Sequence, residues 1–463
     1  MMKQQHLKFK WQQIIPKPDP IYGIPLPRSS HGVSILRDET DESKTTKLLV
    51  YGGEHIARTP IDNEASSLWI CDLTNVKSML SSSSKSSSIA AKLTATKSSE
   101  TVDTSTIEED QTTIWKRIQC TRYCEDNVSS TGSRLTPTTS AFPPSRIAHA
   151  QAVYQNRYVY IFGGRSGVTM QEQPMNDLWV LDTMTNPSKS RDHNDNDDYK
   201  YSWSPVEVDM ERSDPIPEPR SYHRMICIGD MLYMFGGCGT AGRLNDLYKF
   251  DIVNRTWHNL GCSTKLRGRG GTNMIPLLNQ TQIAIVCGFT GQEMSDGHIY
   301  DISKQKWDRV SLTPKLDGVR PRSVCVNASF TQNGIAILFG GEVNPSDRGH
   351  AGAGSFGNDI VVLDEQLGFH VATIPSPEEK RLEKQMTSQQ LSHPKHKWHD
   401  RDFVEDINVD KYQQPWPVER GWADAAYFEE DGVGYMYMFG GLSGTDNEPI
   451  RLNDLWKLEV CHT

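Results

Sequence analysis

Apolar runs that end in a pair of glycines recur along this chain. Short aromatic and β-branched runs, such as Tyr158–Phe162 and Met231–Phe235, stop at such a pair. The pairs are Gly52–Gly53, Gly163–Gly164, Gly236–Gly237, Gly340–Gly341 and Gly440–Gly441, with Cys287–Gly288 as a degenerate sixth. The two shortest spacings, from 236 to 287 and from 287 to 340, are 51 and 53 residues. A recurring period of this length indicates a repeat architecture.

Further signals accompany the glycines in the same order. A strand of the type Asn-Asp-Leu-Trp/Tyr follows them, as at Asn176–Trp179, and a strand containing a tryptophan, such as Trp257, closes the unit. These runs are bounded by Gly, Pro and Asn, so each unit predicts four short β-strands. One arginine opens each unit, at Arg28, Arg146, Arg220, Arg269, Arg322 and Arg420.

This pattern resembles the Kelch repeat, and six units imply an all-β, six-bladed β-propeller. The sixth unit lacks its outer strand. We expect residues 8–14, with Trp11 as the aromatic residue, to supply that strand and to remove an exposed sheet edge. The predicted single domain spans 8–463, with blades at about 28–118, 146–207, 220–260, 269–311, 322–375, and 420–459 together with 8–14.

Polar insertions interrupt the repeat at about 74–113, 121–144, 186–200 and 376–412. The first contains the serine runs 81–84 and 86–88, and the third contains the acidic tract Asp192–Asp198. Segments of this composition bury too little apolar surface to fold on their own, so we expect long disordered loops. In the last insertion, the charged run Glu378–Lys384 predicts a short surface helix.

Composition and charge narrow the class of protein. The net charge of −9 argues against a general nucleic-acid binder, which needs a basic surface. The nine cysteines are odd in number and scattered, which does not indicate a disulfide framework. We find neither an apolar run of membrane-spanning length nor a signal-peptide pattern at the start. We therefore expect a protein of the cytoplasm, with the nucleus as an alternative.

The loop after Gly340–Gly341 carries three chemically active residues: Glu342, Asp347 and His350. Blade 4 has a similar set, at Glu293, Asp296 and His298. Asp296 stands five residues before Asp301, as Asp246 does before Asp251 and Asp177 before Asp182, so it is a repeat aspartate and we assign the blade 4 set to structure. The corresponding aspartate of blade 5 is Asp359. Asp347 and His350 are therefore additional to the repeat.

Two carboxylates and a neutral imidazole form a donor set that suits a divalent transition metal with open coordination positions. An equally simple interpretation is structural: Asp347 caps the turn and His350 hydrogen-bonds a neighbouring backbone group. The topology predicts that Arg165 and Trp422 lie on the same face as this loop, around the mouth of the central channel. Trp422 stands in a repeat position that holds Ser30 and Ala148 in other units.

The stretch Gly340–Gly354, together with Arg420–Trp422 and Phe162–Arg165, resembles the specifier proteins: the nitrile-specifier, epithiospecifier and thiocyanate-forming Kelch proteins. These are iron(II)-dependent and act on glucosinolate aglycones, so the resemblance implies a lyase- or isomerase-type activity on a small sulfur-containing anion. It implies Glu342, Asp347 and His350 as Fe(2+) ligands. It also implies that Arg165 contacts the sulfate group of the substrate and that Trp422 is a wall of the pocket.

Two functions stay open at this point. One is specifier-like chemistry, and the other is a non-enzymatic Kelch scaffold that binds a protein partner on the channel-mouth face. Copper chemistry of the galactose-oxidase type is disfavoured, because no paired Tyr/His copper set is evident. We expect the unit-opening arginines other than Arg420 to pair with carboxylates of the next blade.

Overall fold

The double-glycine units fold into six β-sheets arranged as the blades of a propeller, which confirms the predicted architecture. This computed structural model describes residues 7–38, 45–62, 68–76, 113–122, 142–167, 172–183, 201–277, 279–365, 370–381 and 415–462. Most of the four predicted insertions, 74–113, 121–144, 186–200 and 376–412, lies outside the described residues. No helix in the described ranges is long and apolar enough to cross a bilayer.

Each blade is an antiparallel sheet whose first strand lies innermost. The strands of blades 1 to 3 are Gly32–Asp38, Thr45–Tyr51, Trp69–Asp72 and Trp115–Arg117; Ala150–Tyr154, Tyr158–Phe162, Leu178–Asp182 and Ser202–Pro205; and Arg224–Ile228, Met231–Cys238, Arg243–Asp251 and Thr256–Cys262. Those of blades 4 to 6 are Asn273–Leu277, Gln282–Phe289, Glu293–Asp301 and Lys306–Ser311; Val326–Phe330, Ile335–Phe339, Ile360–Asp364 and His370–Ile374; and Asp424–Glu430, Val433–Gly444, Pro449–His462 and Leu7–Ile14. Apolar clusters between neighbouring sheets form the core.

The N-terminal strand Leu7–Ile14 completes blade 6, as predicted. It pairs antiparallel with Pro449–His462, and Trp11 stands opposite Leu458. The indole of Trp11 is buried, with its ring centroid 4.9 Å from that of Phe339 in blade 5. The first and last strands of the chain are thus joined in one sheet, which leaves no open seam in the ring.

Short elements were found beyond the four-stranded pattern. Thr121–Arg122 pairs in parallel with the outer strand of blade 2, so this part of the predicted insertion 121–144 belongs to a sheet. Hairpins follow two of the double glycines: Glu54–Ile56 with Thr59–Pro60, and Glu342–Asn344 with Ser355–Phe356. Two 3-10 turns were also found, Thr313–Leu316 and Gly349–Ala351, and the latter lies in the loop of the second hairpin. Residues 377–381 form one helical turn capped by Ser376 and Glu379, in agreement with the predicted surface helix.

All six unit-opening arginines are buried, and five of them pair with an aspartate of their own blade, so for these the prediction of a partner in the next blade was wrong. Arg322, for example, donates two hydrogen bonds of 2.8 Å to Asp359 and one of 3.1 Å to the carbonyl of Gly340. Arg420 forms the same contacts with Asp454 and Gly440, and therefore has the same structural role. The other pairs are Arg146 with Asp177, Arg220 with Asp246, and Arg269 with Asp296. Arg28 donates a hydrogen bond of 3.0 Å to the carbonyl of Gly52.

A closed circle of hydrogen bonds crosses the central channel near one end. It starts from the second residue after each unit-opening arginine, and each of these residues donates its N–H to the carbonyl of its counterpart in the preceding blade, at 2.8–3.0 Å. All six have a φ between 48° and 60°, in the left-handed region. The residues are Ser30, Ala148, Tyr222, Gly271, Val324 and Trp422. This circle forms the floor of the space at the channel mouth.

Candidate functional site

The residues that directly follow the double glycines occupy equivalent positions in the six blades. Each forms a β-bridge to the residue after the unit-opening arginine, as Arg165 does with Ile147 and Glu342 does with Ser323. The six residues are Glu54, Arg165, Cys238, Phe289, Glu342 and Leu442. The backbone repeats here while the side chains differ, so this ring sets the chemistry of the channel mouth.

A cavity of about 270 Å³ opens at this mouth. Three residues predicted from the sequence line it together: Arg165, Glu342 and Trp422. Two more arginines, Arg58 and Arg243, also line it, although neither was among the predicted site residues. They follow a double glycine by five and six residues, and this placement was the signal that could have identified them.

None of the three cavity arginines forms an ion pair with a carboxylate within the described ranges. Arg165 donates from Nε to the hydroxyl of Ser221 at 3.0 Å and from Nη1 to the carbonyl of Glu172 at 2.6 Å. The guanidinium of Arg243 lies 4.7 Å from the ring centroid of Phe289. Three guanidinium groups that lack a direct carboxylate partner favour a negatively charged ligand in this cavity.

Arg58 is presented by the tight turn of the hairpin that follows the blade 1 glycines, with a φ of 60°. Its backbone N–H donates to the carboxylate of Glu54, which also accepts hydrogen bonds from the hydroxyls of Ser29 and Ser30. Arg451 lies 3.7 Å from the same carboxylate. The Nε of Arg58 is buried and has no hydrogen-bond partner. The buried network therefore fixes the backbone of Arg58 and leaves its guanidinium for the cavity.

Aromatic rings form the apolar part of the wall. The ring centroids of Trp422 and Tyr222 lie 5.5 Å apart, in an edge-to-face arrangement. Trp422 also packs against a small cluster formed by Ala353, Phe356 and Leu442. The position that holds serine or alanine in blades 1 and 2 thus holds the largest side chain in blade 6, and that side chain faces the cavity.

Glu342 places a carboxyl group among these arginines and aromatic rings. Burial raises its pKa to about 7, opposed by the backbone N–H groups of Ser346 and Gly354, which donate to the carboxylate; the nearby charge of Asp446 raises it further. The bridge between Glu342 and Ser323 fixes the strand that carries this side chain. Near neutral pH the group therefore exchanges between a charged and a neutral form.

Glu293 lies close to Glu342. Ser323 donates a hydrogen bond of 3.2 Å to its Oε1, and its Oε2 is buried without a partner. Burial raises the pKa of Glu293 to about 8, and the charge of Glu342 contributes. Sequence reasoning assigned the blade 4 set to structure. That holds for Asp296, which pairs with Arg269, and for His298, whereas the carboxyl of Glu293 faces the surroundings of the site.

Glu342 is the predicted metal ligand that the structure brings to the cavity. Asp347 is exposed and does not line the cavity, whereas its neighbour Ser346 does. The side chain of His350 lies outside the described parts of the structure. The residues with described side chains include no cluster of three His, Cys, Asp or Glu that could hold a metal ion. Of the two predicted donors whose side chains the structure describes, Glu342 lines the cavity and Asp347 does not.

Three buried histidines lie beneath the circle, and none of them was among the predicted site residues: His31, His149 and His223. Each ring packs edge-on against the aromatic residue before a double glycine in the preceding blade; His31, for instance, lies 5.5 Å from Phe439. Burial lowers the pKa of His31 and of His149 to about 3. They are neutral at physiological pH and serve packing between blades.

Comparison with known proteins supports the repeat assignment. The family profile of the KLHDC2/KLHL20/DRC7 Kelch-repeats domain matches residues 116–341. The chain is 21% identical over 362 residues to N-(sulfonatooxy)prop-2-enimidothioate sulfolyase from Thlaspi arvense, an alignment that covers 74% of this chain and 78% of that protein.

Other relatives share a smaller part of their length. The chain is 23% identical to Host cell factor 2 from Homo sapiens over 53% of this chain and 26% of that protein. It is 32% identical to Adagio-like protein 1 from Oryza sativa subsp. japonica over 38% of this chain and 25% of that protein. The likeness to these two thus concerns about a quarter of each protein.

Proposed function

We propose that this Kelch-repeat propeller, which resembles the specifier proteins, binds a small anionic molecule with an apolar part in the cavity at its channel mouth. The observation that carries the proposal is the presence of Arg58, Arg165 and Arg243 in one cavity, with no direct carboxylate partner among the described residues. Trp422 and Tyr222 supply the apolar surface next to these charges. A volume of about 270 Å³ suits a ligand smaller than a typical drug.

The ligand class that fits is a sulfur-containing anion of the sulfonatooxy type. The sulfolyase relative is named for a substrate with a sulfonatooxy group on a thioimidate. Guanidinium groups match the geometry of sulfate oxygens through charge-assisted hydrogen bonds. If this group leaves as sulfate, the same arginines stabilise the negative charge that builds up on it, which is how fixed positive groups accelerate such a step.

The predicted Fe(2+) site can be examined through the residues expected to bind the ion. Glu342 lies at the cavity and could bind a cation, but Asp347 is exposed and the arginines surround the same space. The two predicted ligands with described side chains therefore do not both reach the place of an iron centre. We assign the residues their roles without one: the arginines hold the anion, Trp422 holds the apolar part, and Glu342 adjusts the charge of the cavity.

Binding of 4-nitrophenyl sulfate, followed by isothermal titration calorimetry, tests the proposal. We expect saturable binding to the wild type and a loss of about 10- to 100-fold in Arg165→Ala, the effect of removing a charge-assisted contact. Arg309→Ala is the matched control, because Arg309 is exposed on the outer strand of blade 4. Equal affinity in all three proteins, or no binding to any, would contradict the proposal.

A protein partner on the same face is the second candidate. Exposed apolar side chains stand beside the mouth: Ile56 in the blade 1 hairpin is 66% exposed, and Leu26 is 41% exposed. His55 donates a hydrogen bond of 2.8 Å from Nδ1 to the carbonyl of Pro27, which holds the two segments together. Under this alternative, Ile56→Asp abolishes partner capture while the affinity for the sulfate ester stays unchanged.

A further inference from the structure

We infer that the mouth cavity of this chain holds no resident divalent metal ion, because the loop after Gly340–Gly341 brings Ser346, and not Asp347, to the cavity wall beside Glu342. The loop after Gly340–Gly341 would have to supply the ligands of such an ion. The absence of the ion is expected whether or not a sulfate ester is the ligand.

The loop turns Ser346 toward the cavity and Asp347 away from it. Ser346 and Glu342 both line the cavity, whereas Asp347 is exposed and does not. The loop thus offers one carboxylate and one hydroxyl. A neutral hydroxyl is a weak ligand for a divalent transition metal compared with a carboxylate. Even with an imidazole from His350, the set would be one carboxylate short of the predicted one.

Local contacts hold the loop in this orientation. The N–H of Ser346 donates to the Glu342 carboxylate, and the Ser346 hydroxyl accepts from the N–H of Arg348 at 3.0 Å. Arg348 in turn donates from Nη1 to the carbonyl of Asp446 at 2.6 Å. Gly352 leaves no space for a side chain, because a Cβ there would meet Ser346 and Asp446. Turning Asp347 inward would break these contacts together.

The charge of the cavity also disfavours a cation. Arg58, Arg165 and Arg243 line the same space as Glu342. Three guanidinium groups repel a dication in this space, and of the side chains of the loop after Gly340–Gly341 only Glu342 brings a carboxyl group to the cavity wall. The arrangement that favours an anion therefore opposes a metal ion.

Substitution Ser346→Asp provides a gain-of-function test. An aspartate can still accept the N–H of Arg348, as short polar side chains do in turns, so we expect the variant to fold. Co²⁺ titration followed by visible absorption, and iron content after anaerobic loading with Fe²⁺, measure metal binding directly. We expect no saturable site in the wild type and a gain of roughly 10- to 100-fold in affinity in Ser346→Asp.

Asp347→Asn is the matched control, since it changes a carboxylate one residue away, and circular dichroism verifies that each variant is folded. Stoichiometric metal in the wild type that is lost in Glu342→Gln or Asp347→Asn would overturn the inference, as would a folded Ser346→Asp variant without any gain. Binding of 4-nitrophenyl sulfate before and after EDTA is measured separately. Absence of sulfate binding rejects the proposed function, whereas only the metal titration decides this inference.

Discussion

The arginines inside the blades and those at the channel mouth differ in their burial and in their hydrogen-bond partners. Arg322 is fully buried, forms a bidentate pair with Asp359 and donates to the carbonyl of Gly340. Arg165, only one residue beyond another double glycine, contacts a hydroxyl and a carbonyl and has no carboxylate partner in the described part of the chain. The first kind holds a blade together, and the second kind leaves charge for a ligand.

The difference shows which feature identifies a functional arginine in a repeat protein. In five of the six units the recurring buried arginine is neutralised by an aspartate of the same unit, because a buried unpaired charge costs several kcal/mol. An arginine that appears in one unit alone has no such built-in partner. Position in the repeat, rather than burial or charge, therefore separates the two roles.

The largest expected effect follows from breaking an internal pair. Arg322→Ala leaves Asp359 buried without its partner, and we expect the free energy of unfolding to fall by about 3–5 kcal/mol. Urea denaturation followed by tryptophan fluorescence measures this change. Arg322→Lys keeps the charge but loses the bidentate contact, so its free energy of unfolding should lie between those of the wild type and Arg322→Ala. A loss below about 1 kcal/mol in Arg322→Ala would contradict the structural role.

Removing a mouth arginine should spare stability and weaken binding. We expect Arg58→Ala and Arg243→Ala each to lower the affinity for 4-nitrophenyl sulfate by about 10-fold or more, which corresponds to about 1.4 kcal/mol. The free energy of unfolding should change by less than about 1 kcal/mol, because Arg243→Ala removes only the contact with the Phe289 ring and neither substitution breaks an ion pair of the described residues. A large loss of stability without a change in affinity would place these arginines in the structural class.

A smaller effect is expected from pH. Because burial raises the pKa of Glu342 to about 7 from an ordinary 4.5, the folded protein keeps this proton to higher pH than the unfolded chain. Its contribution to stability is therefore greatest below about pH 4.5 and is lost as the pH rises through 7. Neutral Glu342 also repels an anion less, so affinity should rise about fivefold between pH 8 and pH 6, or about 1 kcal/mol. In Glu342→Gln this part of the pH dependence should disappear; Glu293, which titrates near pH 8, accounts for what remains.

The smallest effect is expected at Asp347. Because its side chain is exposed and does not line the cavity, Asp347→Asn should leave both the free energy of unfolding and the affinity for the sulfate ester unchanged within about 0.5 kcal/mol. Calorimetry and urea denaturation on the same preparation measure both quantities. A loss of affinity comparable to that of Arg165→Ala would show that the loop brings Asp347 to the ligand.

The sequence alone determined the propeller and its closure. The spacing of the double glycines, the unit-opening arginines and Trp11 predicted six blades and the strand Leu7–Ile14, because the backbone demands of a repeat are local and recur in each unit. The same regularity identified Arg165, Glu342 and Trp422 as residues on one face. Subtracting the repeat worked for positions that the repeat itself defines.

Only the tertiary structure decided the composition of the site. Which of two adjacent loop residues, Ser346 or Asp347, faces the cavity depends on hydrogen bonds to Glu342 and Arg348, which spacing does not show. Arg58 reaches the same cavity from another blade. Glu293 lies near Glu342 because it accepts a hydrogen bond from Ser323, which is bridged to Glu342. The charge of the site, and with it the choice between an anion and a metal ion, depends on the sum of residues from separate blades. These residues come together only when the six blades form the closed ring.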